Sequence, residues 1–294
     1  MKYSKLFIEN VSIIFSKIMF FLSNLFWMGS KREDEIHSDF LTSYYYNIKY
    51  SPPTTIIHHD TIHPLRCCTW NIHRGFDSKW NFKIPSILDY LNNMDFDIIF
   101  LQELPNKKYS KYDINYAEFL SSYLGLHYIY DRNQCILSKF PLYNKSFNSY
   151  FLCEKSYGNH LLSAYTLIND DIEIKLHNIH LNCDITGYEQ RTSLRQLELD
   201  KSILNCNSES KNMILAGDFN APSWFSISSF LSILFGETDK NKKNTFPTTF
   251  PFLNFDKVWI NEKKGQLKLE YICVDYSIYF SDHKPILFEL FLEK

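Results

Sequence analysis

The run Met213-Ile214-Leu215-Ala216-Gly217-Asp218-Phe219-Asn220-Ala221-Pro222 joins four apolar residues to a glycine, an acid, an amide and a proline. Four apolar residues in succession read as a strand buried on both faces. Gly217 permits a close approach or a turn, and Pro222 cannot continue a sheet ladder. Strand alternation places Asp218 and Asn220 on one side. A carboxylate and an amide then project together from the carboxyl edge of a buried strand, where ligands of α/β sheets commonly sit. Two readings stand side by side: an Asx turn closing an ordinary strand, or a pair of functional groups.

Other segments repeat this design. Arg66 to Ile72 reads as a strand ending at Asn71, with His73, Arg74 and Gly75 turning away. Lys83 to Asn93 places Ile84, Ile87, Leu88 and Leu91 at helical spacing, and Asp97 to Glu103 is a buried strand ending in a carboxylate. Tyr116 to Leu124 reads as a second helix. Strands follow at Tyr128–Tyr130 and Cys135–Ser138. Leu161–Ile168 and Glu173–His180 form a hairpin pattern around Asn169-Asp170-Asp171. Helices are expected over Gln190–Leu204 and Ser226–Phe235, and strands over Asn254–Ile260, Leu267–Val274 and Ile286–Phe291. Strands dominate, with helices interspersed, which predicts two packed sheets flanked by helices.

The chain has 294 residues, enough for a large core, and a formal net charge of -2, so no global basic field draws it to nucleic acid. A local basic groove is compatible with that balance. Seven cysteines, scattered and without a Cys-x-x-Cys pair, argue against a disulfide framework or a zinc site and for a reducing, intracellular compartment. They read as small buried apolar residues.

Residues 1–65 differ from the rest. Phe7, Val11, Ile14, Ile18, Phe21, Leu25 and Met28 recur at helical spacing, and Ile18 to Met28 is apolar almost all round. Residues 7–28 are long enough to span a bilayer, but Glu9 and Lys17 shorten the uninterrupted apolar run. A membrane anchor, an interfacial amphipathic helix and a helix packed on the protein are all open. Lys31 to Glu35 is a charged exit, and the stretch onward to Pro64 reads as a linker whose His58, His59 and His63 lack a matching ligand set. The division is therefore an N-terminal helix and linker, 1–65, and a second unit, 66–294.

Five strand-end signatures stand in order: Thr69-Trp70-Asn71-Ile72-His73-Arg74-Gly75, Leu101-Gln102-Glu103, His177-Asn178-Ile179-His180-Leu181, Gly217-Asp218-Phe219-Asn220 and Ser281-Asp282-His283-Lys284-Pro285. Their identity and order resemble the endonuclease/exonuclease/phosphatase superfamily of deoxyribonuclease I-like enzymes. Asn133 to Pro141 is similar to that family's Gly-Asn-x-x-Leu-Ser-Arg-x-Pro segment, with Arg132 in place of the glycine. Thr245-Phe246-Pro247 and Phe255-Asp256-Lys257-Val258-Trp259 resemble its Thr-Phe-Pro and Leu-Asp-Arg-Ile segments.

The resemblance implies an α/β (α+β) four-layer sandwich of two mixed sheets between helices, preceded by the N-terminal helical extension. It implies hydrolysis of a phosphate ester, of phosphodiesterase or nuclease type, by in-line attack of water on phosphorus. Such chemistry needs charge neutralisation and a stabilised leaving oxygen. Glu103 is the expected Mg²⁺ ligand, assisted by Asn71, with Asp282 a second candidate ligand and Mn²⁺ a substitute ion. Asp218 would align and deprotonate the water, and Asn220 would donate hydrogen bonds to the phosphate. His283, oriented by Asp256, would contact phosphate oxygens as a cation, and His180 would stabilise or protonate the leaving group. His73 is expected to hydrogen-bond rather than to ligate, and Arg191 and Arg195 are candidates to face phosphate. The substrate is a phosphate ester of nucleic acid or of a lipid head group, the latter favoured if residues 7–28 meet a membrane. No protein partner is indicated. A non-catalytic binding module on the same fold is the competing class.

Overall fold

The computed structural model of this chain describes residues 36–37, 40–41, 64–105, 115–149, 160–168, 172–181, 212–220, 243–261 and 266–293. The expected helices at 190–204 and 226–235, the apolar segment 7–28, His58, His59, His63, Arg191, Arg195, Cys153, Cys183 and Cys206 lie outside the described residues. Among the described residues no helix is long and apolar enough to cross a membrane.

Among the described residues, eleven strands form two sheets. In chain order they are β1 Leu65–Asn71, β2 Ile98–Gln102, β3 His127–Asp131, β4 Gln134–Ser138, β5 Leu142–Ser149, β6 His160–Ile168, β7 Ile172–His180, β8 Asn212–Asp218, β9 Asp256–Ile260, β10 Leu267–Val274 and β11 Ile286–Leu292. The first sheet runs β10-β11-β1-β2-β4-β3 and the second β5-β6-β7-β8-β9. Each is antiparallel except for one parallel pair, β1 with β2 and β7 with β8. Both are therefore mixed, and two facing sheets, with the described helices on the outer face of the first, match the α/β sandwich expected.

Alternation explains the layers. Cys67, Ile98, Phe100 and Ile136 face Leu162, Leu176, Ile214, Ala216 and Val258 across the gap between the sheets. Cys68, Trp70, Ile99, Leu101 and Leu137 point the other way, under α1 (Ile84–Met94) and α2 (Tyr116–Leu124). The α1 helix opens with a proline in its first turn. The side chain of Asn115 caps α2 by accepting from Ala117 N, and Gly125 closes it at φ 66°.

The same cluster reaches back to the N-terminal region. Leu41 is fully buried in it. His37 is fully buried too, edge-on to Phe76, Phe82 and Tyr116 at ring separations of 5.2 Å each.

Two local details depart from the sequence reading. The strand β5 was not anticipated, because Tyr143-Asn144-Lys145-Ser146 interrupts any apolar pattern. It is an edge strand, with a register shift between Tyr143 and Ser146 and Asn144 at φ 51°, so a one-sided ladder suffices to hold it. Strand β8 ends at Asp218, and Asn220 has φ 45°. The two side chains therefore meet through a turn, not through strand alternation. Arg132, standing where the resembled segment has glycine, has φ 52° in the β3–β4 turn, a backbone state that glycine adopts without steric penalty.

Candidate functional site

The site lies where inward strand positions turn from apolar to polar. Along β8 the inward side chains run Ile214, Ala216, Asp218, and along β7 Leu176, Asn178, His180. Parallel pairing sets His180 beside Asp218. Antiparallel pairing sets Asp256, the first residue of β9, on the other side of Asp218. From the first sheet come Asn71, at the end of β1, and Glu103, just past β2. Gly217 makes the crowding tolerable: at φ 144°, a Cβ there would lie 2.0 Å from Ile179 O.

Asn71 joins the halves. Its Nδ2 donates to Glu103 Oε1 and to Asp218 Oδ2, at 3.0 Å each. Its own Oδ1 accepts from His73 N at 3.0 Å. His180 Nε2 lies 3.7 Å from Glu103 Oε1 and 3.8 Å from Asp218 Oδ2. His283 Nδ1 meets Asp256 Oδ2 at 2.8 Å, and its Nε2 lies 3.8 Å from Asp218 Oδ2.

Asn220 N donates to Asp218 Oδ1 at 2.7 Å, and Asn220 Nδ2 bonds Leu181 O at 2.7 Å and Asp218 Oδ2 at 3.3 Å. The Asx turn and the functional pairing thus coincide in one arrangement. Asp282 reaches the group through neighbours: Ser281 Oγ donates to Asn71 O at 2.7 Å and lies 3.3 Å from Asp282 Oδ1. Asp282 Oδ1 also lies 3.8 Å from His73 Nδ1. Asn71, Glu103, His180, Asp218, Asn220, Asp256 and His283 therefore form one contact network, with Asp282 at its border.

Charges in this network are strongly perturbed. Burial works to raise the Glu103 carboxyl, but His180, His73 and Arg74 together with the Asn71 hydrogen bond hold it down, at about 2. Burial raises Asp218 above the usual carboxylate range, with Asp256 adding to the rise and His283 and His180 opposing it. Burial works to lower His283, yet Asp256, Asp218 and Asp282 lift it well above the ordinary imidazole value, so it is a cation at neutral pH. One network thus holds an ionised acid, an acid of raised basicity and an imidazolium.

Non-glycine residues with positive φ concentrate here: His73 at 44°, Arg74 at 54°, Glu103 at 55° and Asn220 at 45°. Such conformations persist only where surroundings enforce them. His73–Gly75 is a tight turn of positive φ throughout, tied by Arg74 N donating to Glu103 O at 2.8 Å.

Supporting residues escaped the sequence reading of the site. Trp70 Nε1 donates to His283 O at 3.0 Å, and Phe246 lies against the His283 ring at 4.8 Å. Thr245 Oγ1 accepts from Asp256 N at 3.3 Å. Ser281 and Thr245 stand inside motifs already singled out, but only the fold shows what their hydroxyls reach.

The donors suit a hard divalent cation, which prefers carboxylate and amide oxygens. Glu103 is ionised with its side chain 26% exposed, and Asn71 and Asp218 adjoin it. Asp256 Oδ1 is buried without a hydrogen-bond partner among the described residues. Ligand atoms of Asp218, Asp256 and His283 also lie within 4.8 Å of one another. That trio is already an ion pair around an imidazolium, so a cation there would compete with the His283 proton. The Glu103 side is the better fit.

The fold is that of a deoxyribonuclease I-like sandwich. Residues 68–283 match the model of the Endonuclease/Exonuclease/phosphatase family, and the chain belongs to that family. The uncharacterised protein YbhP of Escherichia coli is 24% identical over 261 residues, covering 78% of this chain and 96% of its own. A protein of unknown function from Enterococcus faecalis has the same fold, with TM-score 0.62 and 15% identity over 78% of this chain and all (100%) of its own. The human nocturnin catalytic domain with a bound sulfate anion superposes with TM-score 0.56 and 15% identity, over 78% and 94% of the two chains. ANGEL2, a 2',3'-cyclic phosphatase in complex with adenosine-2',3'-vanadate, does so with TM-score 0.58 and 16% identity, over 79% and 96%.

Proposed function

We propose that this protein is a metal-dependent phosphoester hydrolase that cleaves a phosphodiester by in-line attack of water on phosphorus. The observation that carries the reading is the bridge from Asn71 to both Glu103 and Asp218, at 3.0 Å each, which gathers acids of opposite electrostatic character from two sheets. Family membership supports phosphoester chemistry, and the sulfate and vanadate complexes of nocturnin and ANGEL2 support a tetrahedral or trigonal-bipyramidal anion as the group recognised.

Glu103 would hold Mg²⁺, or Mn²⁺ in its place, joined by the Asn71 amide oxygen once that amide turns from the bonds it now makes to Glu103 and Asp218, with Asp282 at the border as a further oxygen donor. When bound, the ion supplies charge neutralisation at the phosphoryl oxygens. Asp218 takes a proton from the attacking water; its raised pKa makes it a stronger base than an exposed aspartate. His283 offers an N–H and a positive charge to the phosphoryl oxygens, with Asp256 fixing its ring. His180 gives the leaving oxygen its proton. Asn220 holds Asp218 in place, and a rotation of its amide would present a donor to the phosphate.

The test is Mg²⁺-dependent hydrolysis of bis-p-nitrophenyl phosphate, nicked plasmid and phospholipid vesicles in parallel, in heavy-oxygen water. Label is expected in the phosphate product, with Glu103→Ala slower by roughly a thousandfold. A rate that Glu103→Ala leaves intact would trace the activity to another protein. Binding of these ligands without turnover would favour the non-catalytic module.

A further inference from the structure

Between the apolar core and the site lies a layer of amides. The inward positions of β2 run Ile98, Phe100, Gln102, and those of β7 run Leu176, Asn178, His180. Gln102 and Asn178 are fully buried. Gln102 Nε2 donates to Asn178 Oδ1 at 2.7 Å and lies 3.1 Å from Thr69 Oγ1. Asn178 Nδ2 donates to Leu101 O at 2.8 Å and Cys135 O at 2.9 Å. Gln134 Nε2 lies 3.3 Å from Asn178 O. One side chain of the second sheet is thus bonded to β2 and β4 of the first, and to β1 through Gln102.

Apolar contacts are non-directional and permit small slides between facing sheets, whereas hydrogen bonds fix distance and angle. The amide nitrogens and Asn178 Oδ1 all have partners, whereas Gln102 Oε1 and Gln134 Oε1 have none among the described residues; the directional bonds that are made, in a buried layer, still favour one arrangement. Glu103 directly follows Gln102, and His180 stands two residues above Asn178. The 3.7 Å approach of His180 to Glu103 is therefore set from just beneath by bonds that cross the same gap.

We infer that Gln102 and Asn178 are positioning residues: they lock the two sheets together under the site, so that Glu103 of one stays aligned with His180 and Asp218 of the other. This rests on the phosphoester hydrolase reading of the site. Among the described residues, no side-chain hydrogen bond of either goes to a group assigned to chemistry.

The experiment compares Asn178→Leu, Gln102→Met and Ser163→Ala in the full chain. Ser163 bonds His177 at 2.6 Å on the opposite face of β7, so its loss destabilises the same strand without entering the amide layer. With bis-p-nitrophenyl phosphate, well below each melting temperature, kcat should fall roughly a hundredfold in Asn178→Leu and about tenfold in Gln102→Met, with KM little changed. Ser163→Ala should keep its kcat despite a lower melting temperature. Native-state hydrogen exchange should show protection lost at 102–104 and 178–181 in Asn178→Leu, with the apolar ends of the strands unchanged. If kcat merely follows melting temperature across the three, or protection falls uniformly, the inference is wrong. A wild type that hydrolyses no phosphodiester would refute the functional reading, and the exchange pattern would still decide the positioning claim. Should Asn178→Leu fail to fold, Gln102→Met carries both measurements.

Discussion

Asp256 and His283 meet at 2.8 Å, and the carboxylate of Asp256 is the main influence lifting the imidazole against its burial. If the imidazolium is the working form, activity is lost as pH rises through its raised pKa. Asp256→Asn removes that influence and lowers the pKa, so the alkaline limb of the pH–rate profile should move to lower pH; an unmoved limb would remove His283 from its role. Gly217 is the other residue with little freedom. Alanine there adds a Cβ 2.0 Å from Ile179 O at φ 144°. Urea denaturation of Gly217→Ala should show a loss of about 2–5 kcal/mol, from strain and overpacking together. A loss below about 1 kcal/mol would mean that β7 and β8 yield more easily than their packing indicates.

At the scale of elements, the segment holding His37 and Leu41 makes its own predictions. Burial, with the Arg74 charge, lowers the His37 pKa from 6.5 to about 4, against a backbone hydrogen bond that raises it. An unfolded chain takes up this proton as pH falls through 6.5, while the folded chain resists until about 4. Stability is therefore full above the unfolded value and drains away across that window, by up to about 3 kcal/mol. Melting temperatures of His37→Phe should fall less steeply than wild type from neutral pH to pH 4; parallel curves would contradict the burial. Removing residues 1–41 takes away two fully buried side chains that removing 1–35 keeps, and should cost about 3–5 kcal/mol more. Equal melting temperatures for the two truncations would support the division at residue 65. This contact was not legible in sequence, because two isolated turns of chain carry no period. Most strands were, because β1, β2, β4, β7 and β8 are nearly continuous buried runs, whereas β5 holds a one-sided ladder with a polar sequence.

Across the whole molecule, the site exists because two sheets end their apolar interiors at the same height. The sequence displays each strand's change from apolar to polar, so Asn71, Glu103, His180, Asp218 and Asp256 could be singled out one by one. It cannot display the pairing that sets His180 beside Asp218 and Asp256 beside Asp218, since that depends on register between distant segments. The amide layer was invisible for the same reason: Gln102 and Asn178 are 76 residues apart. The convergence of both sheets on one reacting phosphorus is tested most directly by the rate of bis-p-nitrophenyl phosphate hydrolysis by Asp218→Asn, beside its melting temperature. The account predicts a rate lower by roughly a thousandfold or more with the fold retained; a folded Asp218→Asn that turns over at the wild-type rate would contradict it.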